Sequence, residues 1–168
     1  KTVLLPRKDA GCPMADMITA EQLQELKKNH PTALVVCYVN SPVEVKAESD
    51  YCCTSANAVE VVKSLPEDIE IIFVPDQHLG RHVTEQTERK LILWPGYCPS
   101  HVVITEEDIT KAKQEHPGAA VMVHAECTEA VKAAADEILS TSQMLKFAEK
   151  SESRSFIVGT ETGILHAL

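Results

Sequence analysis

At 168 residues the chain is long enough for one ordinary domain, or two small ones, with a core that sustains itself. Apolar residues at 44% and charged residues at 24% exclude a disordered tail or a fibrous repeat, and the longest apolar run, over 33–39, is too short to cross a bilayer. A net charge of −9 with no Lys/Arg cluster would repel a nucleic-acid duplex or an anionic membrane, so neither is expected as a partner. Six cysteines, two of them adjacent at Cys52 and Cys53, suit no disulfide framework and point to a reducing, cytoplasmic compartment.

In chain order, a strand-like run over 2–5 is followed by a helix capped by Thr19 and ending before His30-Pro31. A buried strand over 33–39, a helix opened by Ser41-Pro42 and a short strand over 51–53 come next. A helix beginning at Thr54-Ser55 and a strand over 70–74 complete the series. The same series then recurs at an offset of 86 residues: Cys12-Pro13 falls on Cys98-Pro99, Ile18-Thr19 on Ile104-Thr105, and His30-Pro31 on His116-Pro117. The register runs unbroken through Val45-Lys46-Ala47 on Val131-Lys132-Ala133 to Asp50 on Asp136, too many identities for chance. The second copy predicts strands over 119–123, 137–139 and 155–158, with helices at Thr105, Thr128-Glu129 and Ser140-Thr141. Alternating strands and helices imply α/β architecture: two homologous three-layer α/β/α units with short parallel sheets, over residues 1–96 and 97–168. The chain opens without Met in an apparent strand and closes in an apparent helix, so it reads as a piece of something longer.

Ligands of parallel sheets gather beyond the carboxyl ends of the strands. There the copies place Tyr38 and Asn40 against His124 and Glu126, pairs that either bind a ligand or are satisfied by water. Ser55 and Thr141 are likewise equivalent, at predicted helix starts that serve either an anionic ligand or simple capping. Cys12 and Cys98 lie in Gly-containing turns, and two such thiols are too few for an iron-sulfur cube unless a third copy supplies another. Cys37, Cys52, Cys53 and Cys127 read as packed thiols, Trp94 and Phe73 as core, and His78, Arg81 and His82 as a solvated loop or helix face. His101, three residues after Cys98, has no counterpart in the first copy, where Ala15 stands.

Gly11-Cys12-Pro13-Met14-Ala15-Asp16, Tyr38-Val39-Asn40, Thr54-Ser55-Ala56-Asn57-Ala58, Pro75-Asp76 with Leu79-Gly80, Trp94-Pro95-Gly96-Tyr97-Cys98 with His101, His124-Ala125-Glu126 and Ser140-Thr141-Ser142 together resemble quinolinate synthase. The resemblance implies three homologous units about a pseudo-threefold axis around a 4Fe-4S cluster, with Cys12 and Cys98 as two ligands and the third outside this chain. It implies condensation of iminoaspartate with dihydroxyacetone phosphate to quinolinate, the pyridine precursor of NAD, with L-aspartate oxidase supplying iminoaspartate. Tyr38, Asn40, Ser55, His101, His124 and Thr141 would bind substrate; Tyr38 and His124 would also join Glu126, the acid/base, in catalysis. This chain alone, lacking the first unit and the third cysteine, is expected to be inactive. Two rivals use the same residues: a non-catalytic two-lobed module for a small dicarboxylate or phosphate, and a redox or zinc protein built on Cys12 and Cys98.

Overall fold

The computed structural model describes residues 10–168 continuously together with residues 2, 4 and 7, and the expected strand over 2–5 lies outside that continuous segment. Its first half contains α1 (Ala20–Asn29), β1 (Leu34–Tyr38), α2 (Val43–Ala47), β2 (Tyr51–Cys53), α3 (Ala58–Lys63), β3 (Ile71–Val74), α4 (Gln77–Thr87) and β4 (Leu91–Leu93). These build a four-stranded parallel sheet in the order β2-β1-β3-β4. The second half adds α5 (Pro99–Val102), α6 (Glu106–Glu115), β5 (Ala120–His124), α7 (Glu129–Ala133), β6 (Glu137–Leu139), α8 (Thr141–Lys150) and β7 (Phe156–Gly159). Here the sheet has three parallel strands, ordered β6-β5-β7.

Strand alternation sends neighbouring side chains to opposite faces, and helices cover both. Val36 and Phe73 join Ala58, Val62, Leu79 and Val83 on one side of the first sheet, while Val35, Cys37, Ile72 and Val74 join Leu23 and Val45 on the other. In the second sheet Val121 and Val123 pack with Ile109 and Val131. The α/β class with two helix-flanked parallel sheets is therefore what the structure contains. The halves meet through the first apolar cluster, which also takes in Ala125 and Ile138, and through Lys132 on α7, whose Nζ donates to the His78 carbonyl on α4 at 3.1 Å.

The repeated identities coincide with repeated backbone hydrogen bonds. Asp50 Oδ2 accepts the Val35 N–H at 2.7 Å, and Asp136 Oδ2 accepts the Val121 N–H at 2.8 Å. Lys27 Nζ donates to the Glu48 carbonyl at 2.7 Å, and Lys113 Nζ to the Ala134 carbonyl at 2.6 Å. Thr19 and Thr105 form capping boxes with Gln22 and Asp108, and His30 and His116 end α1 and α6 with nearly equal backbone angles.

Three expectations need correction. Cys52 is exposed, so it is not a packed thiol. Ser55 is not at a helix start: it lies in a turn, because Asn57 Oδ1 accepts from the Thr54 N–H and hydroxyl and delays α3 to Ala58. The chain closes on a short 3-10 turn, Thr162–His166, rather than an α-helix.

Arg89 clamps the turn after α3, its guanidinium donating to the carbonyls of Val62, Leu65, Pro66 and Ile69 at 2.7–3.1 Å. Losing a charged donor shared by several half-buried acceptors costs about 2–3 kcal/mol. Arg89→Ala should therefore lower the urea unfolding midpoint. Arg89→Lys should recover less than half of the loss, since one ammonium cannot reach acceptors spread around a planar fork.

Candidate active site and metal centre

Most of the polar side chains of interest lie at or just beyond the carboxyl end of a parallel strand: Tyr38 and Asn40 at β1, Ser55 after β2, Asp76 after β3, Cys98 after β4, His124 and Glu126 at β5, and Thr160 after β7, with His101 on α5. The carboxylate of Glu126, 3% exposed, is the centre of the group. Its Oε2 lies 3.1 Å from His101 Nδ1 and its Oε1 3.6 Å from His124 Nδ1. The two rings stack with centroids 4.7 Å apart, and His101 Nε2 meets the Thr160 hydroxyl at 2.8 Å. From the other half of the chain, the Tyr38 hydroxyl faces Glu126 and Ser55 and accepts from Asn40 Nδ2 at 3.0 Å.

Burial and partners together set the protonation states. Burial disfavours ionised Glu126, yet His101 and the Tyr38 hydroxyl outweigh it and hold the group down at about 2. Burial likewise disfavours charge on His101, but the Cys98 sulfur and the Glu126 carboxylate raise it to about 9. His124 is pushed down to about 4 by burial, so it is neutral at pH 7 and the cation balancing Glu126 is His101. Burial, followed by the adjacent Glu126 charge, pushes Tyr38 well above the ordinary phenol range, leaving it a proton donor. The site thus combines a buried ion pair, a neutral imidazole and a phenol, suited to moving protons on a polar small molecule.

Cys12 and Cys98 are free, half-buried thiols bordering the same apolar cluster. Their loops are tied together: Trp94 Nε1 donates to the Met17 carbonyl at 2.9 Å, and the Tyr97 N–H to Met17 Sδ at 3.4 Å. Trp94 is therefore an edge tether, whereas Phe73 is fully buried core as expected. Gly96 lets the Cys98 loop lie against β3, because a Cβ there would meet the Pro75 carbonyl oxygen at 2.5 Å. Soft thiolate donors are the kind an iron-sulfur cluster takes, and two of them are fewer than the three or four a whole set requires. A second convergence involves Cys98, His101 and Glu126, whose ligand atoms all lie within 4.8 Å of one another.

Thr141 is the first residue of α8 and exposed, and Ser140 is the cap. Its helix borders a cavity of about 440 Å³ through Gln143, with Ser55, His82 and Gln86 lining other parts of the wall. Cys127 is an ordinary buried thiol, its Sγ 3.5 Å from the Gly159 carbonyl and burial pushing it to about 12. His78 and His82 are half-buried rather than on a solvated face: they sit on α4 with buried Nδ1 atoms, His78 facing Glu129 of α7. Sequence reasoning gave no role to Thr160, and Asp76 entered it only within a motif. The polar-residue-after-a-buried-strand rule applied to β3 and β7 would have found both.

Asp76, 0% exposed, caps α4 by accepting the Leu79 N–H at 2.7 Å, and burial raises its carboxyl to about 7. The folded state thus holds this proton more tightly than the unfolded chain, where an aspartate titrates near about 4. Asp76 by itself contributes stability that is lost as pH rises between about 4 and about 7, opposite in sign to the contribution of His124, which is held neutral over most of the same range. Asp76→Asn, which keeps a capping oxygen, should remove that contribution, so the urea midpoint of the variant should climb relative to wild type as pH goes from about 4 to about 7; a difference that stays constant with pH would take Asp76 out of the titration.

Over residues 1–168 the chain matches the family described as NadA, quinolinate synthetase A protein. It is 56% identical over 168 residues to a quinolinate synthase of Dehalococcoides mccartyi, 55% to one of Geotalea uraniireducens and 54% to one of Methanoregula boonei. Each match covers 100% of this chain and 55% of the relative, so the chain spans about half the length of these curated relatives. A chain that matches the family from end to end, at this identity, belongs to the quinolinate synthetase A protein family.

Proposed function

We propose that the whole protein containing this chain is a cytoplasmic quinolinate synthase, condensing iminoaspartate with dihydroxyacetone phosphate for NAD biosynthesis, with L-aspartate oxidase as the supplier of iminoaspartate. Three homologous units, two of them here over residues 1–96 and 97–168, would surround a 4Fe-4S cluster held by Cys12, Cys98 and a cysteine outside this chain. When bound, the cluster supplies Lewis-acid polarisation of a substrate oxygen or nitrogen.

The observation that carries this reading is the convergence of Glu126 with His101, His124 and Tyr38 beside Cys98. Tyr38, as a protonated phenol, donates to a substrate oxygen, and Asn40 steers that hydroxyl. His101, a buried cation, receives a substrate carboxylate. Ser55, in the wall of the cavity that α8 borders through Gln143, and Thr141, at the start of α8, would take phosphate or carboxylate oxygens. Glu126, held ionised, accepts a proton during isomerisation and returns it during dehydration, with neutral His124 presenting its ring beside the same atoms. A purely binding module would gain nothing from such a buried acid/base constellation.

Two variants of the full-length protein test the assignment. Glu126→Gln should lower the rate of quinolinate formation about 10²–10⁴-fold while iron content is retained and circular dichroism shows a folded protein; a rate close to wild type would remove Glu126 from the chemistry. Cys12→Ala should abolish iron and sulfide retention, and a brown, iron-replete variant would overturn its place as a ligand.

A further inference from the structure

We propose that Cys98, His101 and Glu126 form a second, mononuclear metal site of the zinc class, used when no cluster is assembled. The three groups come from the loop after β4, the short helix α5 and the turn after β5, and their ligand atoms lie within 4.8 Å of one another. One sulfur, one imidazole nitrogen and one carboxylate oxygen are the donors Zn²⁺ and Co²⁺ take in four-coordinate sites, and three protein ligands leave one position open. Two anionic ligands match the charge of a divalent ion.

An independent observation singles out the histidine. His101 is 7% exposed, and its buried Nδ1 faces Glu126 Oε2 at 3.1 Å, an ion pair without good hydrogen-bond alignment. The other nitrogen is already engaged, with Nε2 and the Thr160 hydroxyl 2.8 Å apart. That is the arrangement of a metal-binding histidine: one nitrogen aimed at the other two ligands, where a metal ion would take the place of the proton shared with Glu126, and the opposite nitrogen held by an oxygen that fixes the ring. Thr160 is thus the positioning residue of the site. A single ion here takes Cys98 and Glu126 together, so it excludes the cluster and silences the acid/base; this consequence alone rests on the function proposed above.

The test uses full-length protein stripped of iron by chelation without oxygen and titrated with Co²⁺. One Co²⁺ per chain should bind, with a thiolate-to-cobalt charge-transfer band and the intense visible bands of four-coordinate cobalt, and Zn²⁺ should bleach both. Cys98→Ala should remove the charge-transfer band. His101→Asn, Glu126→Gln and Thr160→Val should each weaken binding about 10-fold or more. Cys12→Ala should leave band and affinity intact, with circular dichroism confirming the fold of every variant. A wild-type cobalt spectrum lacking thiolate character overturns the site without recourse to any variant, as does a band lost with Cys12→Ala or an affinity indifferent to both Glu126→Gln and His101→Asn. Zinc-loaded protein should take up no iron and sulfide until the zinc is removed; undiminished cluster assembly refutes the exclusion. Failure of the proposed function would instead show as cluster-loaded enzyme that makes no quinolinate, with the cobalt spectrum unchanged.

Discussion

A carboxylate buried as deeply as Glu126 must be compensated, and the way this is done organises the molecule. Its compensation comes from both halves of the chain: the Tyr38 hydroxyl from β1 of the first sheet and the protonated His101 from the connecting segment, beside the neutral His124 of its own strand. A buried charge with one partner removed is strongly unfavourable. The contact therefore ties the halves together at their strand ends, where Ala125 and Ile138 also enter the first apolar cluster and Lys132 reaches the His78 carbonyl.

The internal repeat separates scaffold from chemistry. Residues identical between the copies perform the same mechanical task twice: Asp50 and Asp136 on a strand N–H, Lys27 and Lys113 on a helix-end carbonyl, Thr19 and Thr105 as caps. Residues at the strand tips differ between copies, Tyr38 against His124, Asn40 against Glu126 and Ala15 against His101. Two equivalent frames thus present unlike groups to one place. A phenol from one and an imidazole from the other both reach Glu126.

Cys98 stands where two roles meet. It shares an apolar border with Cys12, and it also lies within ligand distance of His101 and Glu126. A thiolate can serve one metal arrangement at a time, so the proposed cluster and the proposed single-ion site would exclude each other there. The tether from Trp94 to Met17, which joins the two cysteine loops, holds Cys98 close to its partner cysteine's loop whichever arrangement forms.

Much of this was legible in the sequence. The offset of 86, the capping boxes, strands β2 and β6 and the strand-end positions of Tyr38, His124 and Glu126 follow from periodicity and local hydrogen-bonding chemistry, which act over a few residues. What only the tertiary structure decided is which groups meet. Thr160 lies 59 residues from His101, and no local pattern pairs them. Asn57 displaced Ser55 from a helix start by a short-range contact that competes with capping. His78 is half-buried because α7 packs against α4. Local backbone energetics select the elements; the partners of a buried polar group are chosen by desolvation, which exists only once the sheets have come together.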